Sequence, residues 1–537
     1  MTEDVFDTAI RWLAAEPDDD IRAELDQLVE GDRGALTERF SGRLRFGTAG
    51  LRAAVGGGPL RMNRLVVRQA AAGLAAYVLQ LDQRAAERGV VIGYDARRKS
   101  DVFALDTARV MAAAGIRTTL LPGPLPTPVL AWALTELDGA AGVMVTASHN
   151  PPTDNGYKVY LGDGAQIAPP HDAGISEQIG RVDATTVALA DEDDALIEFA
   201  GTDVVDAYVG RIPKTRLRPE VPGVPVAYTP LHGVGGELTC RAFAAAGFDR
   251  PSVVATQFDP DPAFPTVPFP NPEEPGAMDA VVALAVERGA ALALANDPDA
   301  DRLGAAIPQP DGSWRRLAGD EIGWLLADHI LANTSGDDRF IVSTLVSSSL
   351  VGKLAKAAGV HFAETFTGFK WIGRTILDHP EWRFVFGYEQ ALGYLVAPRP
   401  LDKDGISAAV VLAEVAALAA AEGTTMQERL DDLVDRFGRH VVADTSIRMD
   451  PADAARAVER LQAAPPRELG GARVTDVVAY PEAGLLRFEL DGGIRVQLRP
   501  SGTEPKVKLY GEAVDGDPAP YLAALAELVT RSAPPPR

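Results

Sequence analysis

Cysteine is all but missing from this sequence: Cys240 stands alone among 537 residues. One thiol excludes an internal disulfide framework and fits a reducing compartment. Basic charge is scarce as well. Lysine and arginine number 52 against 75 aspartates and glutamates, a formal net charge of −23. General binding to nucleic acid or to an anionic membrane would therefore work against repulsion. Long apolar runs are also absent; none reaches the roughly 18 residues of a membrane-spanning helix. The opening MTEDVFDTAI is acidic where a signal peptide would be basic. The expectation is a soluble cytoplasmic chain with neither nucleic acid nor membrane as partner. A small anionic substrate stays open wherever cations converge locally.

Two catalytic signatures are missing too. No G-x-S-x-G elbow surrounds Ser148, which disfavours an acyl-transfer hydrolase. The run Gly56-Gly57-Gly58 lacks the lysine and hydroxyl of a P-loop.

What is present repeats. A short apolar run, a polar loop and an Ala/Leu-rich helical stretch recur along most of the chain. Val90–Tyr94 leads into Asp95-Ala96-Arg97, Gly142–Val145 into Ser148, and Val224–Tyr228 into Thr229–Gly233. Ala291–Leu294 leads into Asn296-Asp297, and Phe340–Val342 into Ser347-Ser348-Ser349. Continuous apolar strands alternating with helices indicate largely parallel sheets covered on both faces. Ligands of such sheets bind beyond the carboxyl ends of the strands, where these loops lie. The first ~40 residues read as helix, with Pro17–Asp20 a solvated break. The last ~95 differ: Leu485–Leu490 and Ile494–Leu498 alternate about an Asp491-Gly492-Gly493 turn, as in a smaller α+β unit. The length exceeds what one core supports. The predicted layout is three α/β domains, 1–212, 213–315 and 316–440, followed by an α+β domain, 441–537.

The sharpest local signal is Asn296-Asp297-Pro298-Asp299-Ala300-Asp301-Arg302. In extended backbone, carboxylates at i, i+2 and i+4 project to one side. Three such anions repel unless a cation sits among them, and a few hard oxygen ligands suit Mg²⁺. The competing reading is a solvated acidic turn. A calcium loop of the EF-hand type fails, because Arg302 and Pro308 stand where it needs glycine and glutamate. Phe46-Gly47-Thr48-Ala49-Gly50-Leu51-Arg52 is a glycine-bracketed loop ending in a phosphate-clamping cation. Arg499-Pro500-Ser501-Gly502-Thr503, with Lys508 beyond, reads as a phosphate nest or, more plainly, as a polar turn. Glu389 between glycines suits sugar hydroxyls, and Lys370 and Lys403 each stand in a loop.

A serine hydroxyl is a poor nucleophile without help. Lys158 lies ten residues beyond Ser148, past a loop rich in turn residues that folds it back. His149 is either a proton-transfer group or a ring packing the loop. A serine carrying phosphate beside Mg²⁺ explains both this loop and the aspartates.

TASHNPP, NGYK, DPDAD-R, GYEQ and RPSGTEP, in that order, resemble the α-D-phosphohexomutase superfamily from Phe46 to about Tyr510. FGTAGLR and GYEQALGY are similar to the branch of bacterial α-phosphoglucomutases and phosphopentomutase-type enzymes. Ala391 and Gly393 stand where the phosphomannomutase branch has Ser and His. The resemblance implies four domains around a central cleft, with one motif from each. It implies Ser148 as phosphoserine, Mg²⁺ on Ser148, Asp297, Asp299 and Asp301, and Arg52, Lys158 and Arg302 around the phosphoryl group. Thr48, Lys370, Lys403 and Glu389 would line the sugar site; Arg499, Ser501, Gly502, Thr503 and Lys508 would grip the phosphate that does not react. Lys403 is also a candidate general base. The implied substrate is a small phosphosugar, glucose phosphate first and mannose or pentose phosphate as alternatives. A sugar bisphosphate such as glucose 1,6-bisphosphate is the implied activator, and the chain is expected as monomer or homodimer. A metal-dependent phosphatase and an idle sugar-phosphate binder are the rival readings.

Overall fold

The computed structural model describes residues 5–47, 49–501 and 505–531. Its architecture is α/β, built on four sheets. The first has six strands in the order Leu51–Ala54, Asp154–Leu161, Ala141–Val145, Val90–Tyr94, Thr118–Pro124 and Ile197–Phe199. Its last four strands run parallel; the first two are antiparallel additions. The second sheet pairs Leu292–Ala295 and Ser252–Val253 in parallel with a central Val226–Thr229, and Gly304–Pro308 and Trp314–Arg316 extend it antiparallel. In the third, Arg339–Thr344 lies between parallel His361–Thr365 and Arg383–Glu389, with Gly393–Leu395 antiparallel at the edge. The fourth is antiparallel throughout, His440–Arg448 pairing along its length with Lys506–Val514.

The continuous apolar strands behave as their composition predicts. Ala141–Val145, Leu292–Ala295 and Arg339–Thr344 are buried at every position, because helices cover both faces. One apolar cluster runs unbroken through the first three units, from Val91 and Trp132 through Tyr228 and Phe243 to Trp324, Tyr388 and Met426. The terminal unit keeps a separate core around Phe488, Val496 and Leu525. Its joint to the third unit combines an apolar patch, Leu345, Val346 and Phe366 against Leu485 and Tyr510, with polar contacts: Arg495 donates to Ser347 O at 2.6 Å and pairs with Glu512 at 2.8 Å, and Ser348 Oγ donates to Glu512 at 2.6 Å.

Helix Gly405–Ala421 is buried along nearly all its length. Midway, Glu414 accepts from Arg216, His329 and the N–H groups of Leu217 and Arg218. A buried carboxylate persists only when fully paired in this way. Among the described residues no single helix is long and apolar enough to cross a membrane. The N-terminal segment forms three helices, Val5–Ala15, Asp19–Gly31 and Arg33–Phe40. Its break is less solvated than its composition suggests: Asp18 pairs with Lys99 at 2.8 Å and Arg64 at 3.3 Å, docking the segment on the first unit.

Candidate active site

Ser148 lies just past the carboxyl end of strand Ala141–Val145, 2% exposed and with its backbone in the left-handed region at φ +53°. Its Oγ donates to Asp297 Oδ2 at 2.8 Å, across the boundary between the first and second sheets. His149 Nδ1 lies 3.2 Å from the same oxygen. Burial, reinforced by Arg302 and Arg52, holds the His149 ring well below its usual range, so it is neutral at pH 7.

The three aspartates converge by a route other than extended alternation. Ala300 takes φ +52° and its N–H closes a turn on Asp297 O at 2.8 Å, so a tight turn gathers the carboxylates. One oxygen of each lies within 4.8 Å of the others. The turn is braced on all sides. Thr127 donates its N–H to Asp299 O at 2.9 Å and its hydroxyl to Asp299 Oδ2 at 2.6 Å. Val234 N–H reaches Pro298 O at 2.8 Å, and Asn296 Nδ2 reaches Arg302 O at 2.6 Å. Neighbouring chain comes so close that a Cβ on Gly233 would sit 2.3 Å from Pro298 Cα, and one on Gly405 2.3 Å from Arg302 O.

Four cations surround the trio. Lys158, in strand Asp154–Leu161, donates to Asp299 at 2.6 Å and Asp301 at 2.9 Å. Lys403 pairs with Asp301 and Asp402, each at 3.2 Å. Arg302 Nε lies 3.9 Å from Asp297 and 4.0 Å from Asp301. Arg52 completes the ring; burial lowers its pKa while the three aspartates oppose that shift. Burial pushes Asp297 well above the usual carboxylate range, with the neighbouring aspartates adding to it. Asp299 and Asp301 are pushed the same way by burial, but Lys158 and Lys403 hold both below that range. Asp299 Oδ1 and Asp301 Oδ1 are nevertheless buried with no hydrogen-bond partner among the described residues. Bare carboxylate oxygens beside a converged trio are the donor set a hard divalent cation requires.

Lys403, a candidate general base from its loop position, stands here beside two carboxylates. Asp301 and Asp402 outweigh burial and hold its amine above the usual lysine range.

Glu389 ends strand Arg383–Glu389, 8% exposed, and accepts from Gly368 N at 3.0 Å, which joins it to the Lys370 loop. Burial brings the Lys370 amine down to about 8, with Glu389 and Arg499 close enough to act on it electrostatically. Glu389 and Arg302 likewise feel one another, so the two loops face a common space. Arg499 and Lys508 sit opposite each other on neighbouring strands of the fourth sheet, with Ser501 just beyond. Thr48, Gly502 and Thr503 lie outside the described residues. A cavity of about 420 Å³ lies behind Gln390 and Leu392, lined by Asp320, Asp444, Arg495 and Glu512. It contains neither Ser148 nor the aspartates and is not the reaction cleft.

Comparison with known proteins follows this layout. Four consecutive descriptions match the chain: phosphoglucomutase/phosphomannomutase alpha/beta/alpha domain I over residues 43–186, domain II over 206–312, domain III over 318–437 and the C-terminal domain over 445–526. The chain belongs to the phosphoglucomutase/phosphomannomutase family. A probable phosphomannomutase of Haemophilus influenzae is 42% identical over 475 residues, spanning 87% of this chain and 96% of that one. The human phosphopentomutase is 34% identical over 557 residues, 94% of this chain and 91% of that one. The crystal structure of a phosphoglucomutase/phosphomannomutase family protein from Burkholderia thailandensis shares the fold, with TM-score 0.72 at 22% identity over 91% and 98% of the two chains. As a member of this family the protein is a phosphotransferring isomerase, a mutase of the α-D-phosphohexomutase superfamily.

Motif reading missed two residues of this family member's site. Thr127 braces Asp299, and its one sequence signal is its place after Pro124-Leu125-Pro126 at the end of strand Thr118–Pro124. Arg97 grips the serine loop and was visible only as part of a strand-end loop.

Proposed function

We propose that the protein interconverts a sugar 1-phosphate and a sugar 6-phosphate, with α-D-glucose 1-phosphate and glucose 6-phosphate the first choice. Transfer runs through a phosphoserine at Ser148 and a bisphosphorylated sugar. One observation carries the reading: a buried serine Oγ from one sheet lies 2.8 Å from an aspartate trio supplied by another, inside a ring of four cations.

In the first half-reaction the P–O bond to Ser148 breaks as a P–O bond to a sugar hydroxyl forms. That hydroxyl loses its proton and the serine oxygen gains one. The bisphosphorylated sugar then turns end for end, and its other phosphoryl group returns to Ser148. Phosphoryl transfer asks little covalent chemistry of the protein beyond alignment and charge neutralisation. Arg52, Lys158 and Arg302 supply the fixed positive charge, and neutral His149 is placed to exchange a proton with Ser148 Oγ. Asp297, Asp299 and Asp301 would hold Mg²⁺, which when bound adds positive charge against the phosphoryl oxygens. Glu389 and Lys370 orient the sugar. Arg499, Ser501, Gly502, Thr503 and Lys508 hold the second phosphate on the terminal unit, which has a core of its own. A sugar bisphosphate such as glucose 1,6-bisphosphate restores phosphate to Ser148 whenever the intermediate escapes.

The 34% identity to a phosphopentomutase over 94% of the chain supports a second reading, pentose 1-phosphate to 5-phosphate. Assays of isomer formation and phosphate release on glucose, mannose and ribose 1-phosphates test the proposal. Isomerisation exceeding phosphate release, with the highest kcat/KM on the glucose ester, is expected. Dominant phosphate release would overturn the mutase reading, and a higher value on the ribose ester would select the pentose one.

Lys370 adds a pH prediction. Its charge is present below about pH 8 and lost above it. Because kcat/KM reports the free enzyme, that ratio should fall ~10-fold above pH 8, the worth of one charged hydrogen bond. Lys370→Arg should flatten the profile, and an unchanged fall in that variant would assign the titration to another group.

A further inference from the structure

We propose that Arg97 is a positioning residue that sets the aim of the Ser148 hydroxyl. It is 4% exposed, and its guanidinium donates to four main-chain carbonyls of the serine loop. These are Ser148 O and Asn150 O at 2.6 Å, Pro151 O at 2.7 Å and Asp154 O at 3.0 Å. The first three lie in a segment with no regular structure; Pro151 O also accepts from Asp154 N–H at 3.0 Å, while the Ser148 and Asn150 carbonyls are outside any helix or sheet ladder. Only a planar group with several fixed N–H bonds serves so many acceptors at once; an ammonium is a point charge on a flexible stem.

Arg97 is itself held from both sides. Its N–H donates to Asp95 Oδ1 at 3.0 Å, and Asp95 Oδ2 lies 3.5 Å from its Nε. The guanidinium stands 5.0 Å from the centre of the Phe264 ring. Phe264 belongs to the stretch between helices Ala255–Phe258 and Asp279–Arg288, in the unit that also carries the aspartates. The clamp therefore ties the serine loop to the second unit as well as to its own sheet.

The geometry of Ser148 shows what is being held. Its N–H donates to Thr146 Oγ1 at 2.8 Å and its C=O is taken by Arg97, while its backbone sits at φ +53°. That conformation costs a non-glycine residue free energy and persists only where its surroundings impose it. Released from Arg97, the serine relaxes towards negative φ and swings Oγ away from Asp297.

The proposal rests on Ser148 being the phosphoryl carrier. The test uses the full-length protein with Arg97→Lys, Arg97→Ala and Phe264→Leu. It records kcat and KM for isomerisation, the rate at which glucose 1,6-bisphosphate phosphorylates Ser148 by rapid quench and intact mass, and rescue of Arg97→Ala by millimolar guanidinium. Misplacing a reacting atom by about 1 Å costs ~10²-fold. Arg97→Lys should therefore lose ~10- to 100-fold in kcat and in Ser148 phosphorylation, with KM within ~2-fold. Phe264→Leu should show a smaller loss of the same kind, and guanidinium should restore part of the rate to Arg97→Ala. The Lys and Leu variants keep the test decisive if alanine unfolds the loop. Unchanged phosphorylation rates, or kcat and KM moving in proportion, would overturn the role of Arg97. A wild-type protein that never accepts phosphate on Ser148 would instead overturn the phosphoserine reading beneath it.

Discussion

Replacing Ser148 with alanine is expected to lower phosphosugar isomerisation by ~10⁴-fold or more, the scale seen when a covalent nucleophile is lost. Among the described residues no neighbouring group stands in for it. His149 is held neutral in the loop, Thr127 is committed to Asp299, and the Thr146 hydroxyl accepts from the Ser148 N–H. The substitution removes one hydrogen bond to Asp297, so the fold should survive at a cost of ~1–3 kcal/mol. Intact-protein mass and peptide mapping should find phosphate on Ser148 of the wild type, in part of the population, and none on the variant. Normal turnover by the alanine protein would end the assignment.

The second large effect concerns the aspartates. Asp299→Asn should reduce kcat by ~10³-fold, as expected when a preorganised electrostatic group at a transferring centre is removed. Asparagine is the informative replacement. Alanine would leave Lys158 buried beside Asp301 alone, and a broken buried pair costs ~3–5 kcal/mol by itself. In the wild type, chelation should abolish turnover and added Mg²⁺ should restore it. Calorimetric titration should show metal affinity weakened in Asp299→Asn while the melting temperature stays close to wild type. Full activity in the presence of excess chelator would remove the metal from the scheme.

Much of this site is readable from a single chain because its parts are short and contiguous. The aspartate trio, Ser148 and Glu389 each sit at the end of an apolar strand, and that junction is visible as a change in hydrophobic pattern. The α/β layout is legible for the same reason. Other features were hidden. The extended geometry inferred for Asp297–Asp301 gave way to a turn with Ala300 in the left-handed region, packed round by Gly233 at Pro298, Thr127 at Asp299, Gly235 at Ala300 and Gly405 at Arg302. The ion pairs of Lys403 with Asp301 and Asp402 were not visible either, since Asp301 is 102 residues away in sequence. Arg97 and Thr127 carry no motif, because their acceptors are main-chain carbonyls and a carboxylate supplied by distant segments.

The order of residues alone settles which chemical groups this protein owns: a serine just past an apolar strand, three aspartates in five residues, and a few cations in an otherwise acidic chain. It also settles that these groups stand at strand ends, because local hydrophobic pattern dictates local structure. Folding adds the distances. Ser148 and Asp297 are 149 residues apart in sequence and 2.8 Å apart in space, brought together by an apolar core that runs through three sheets. No local rule encodes that approach; it follows from burying the faces of separate sheets against one another, a cooperative property of the whole chain.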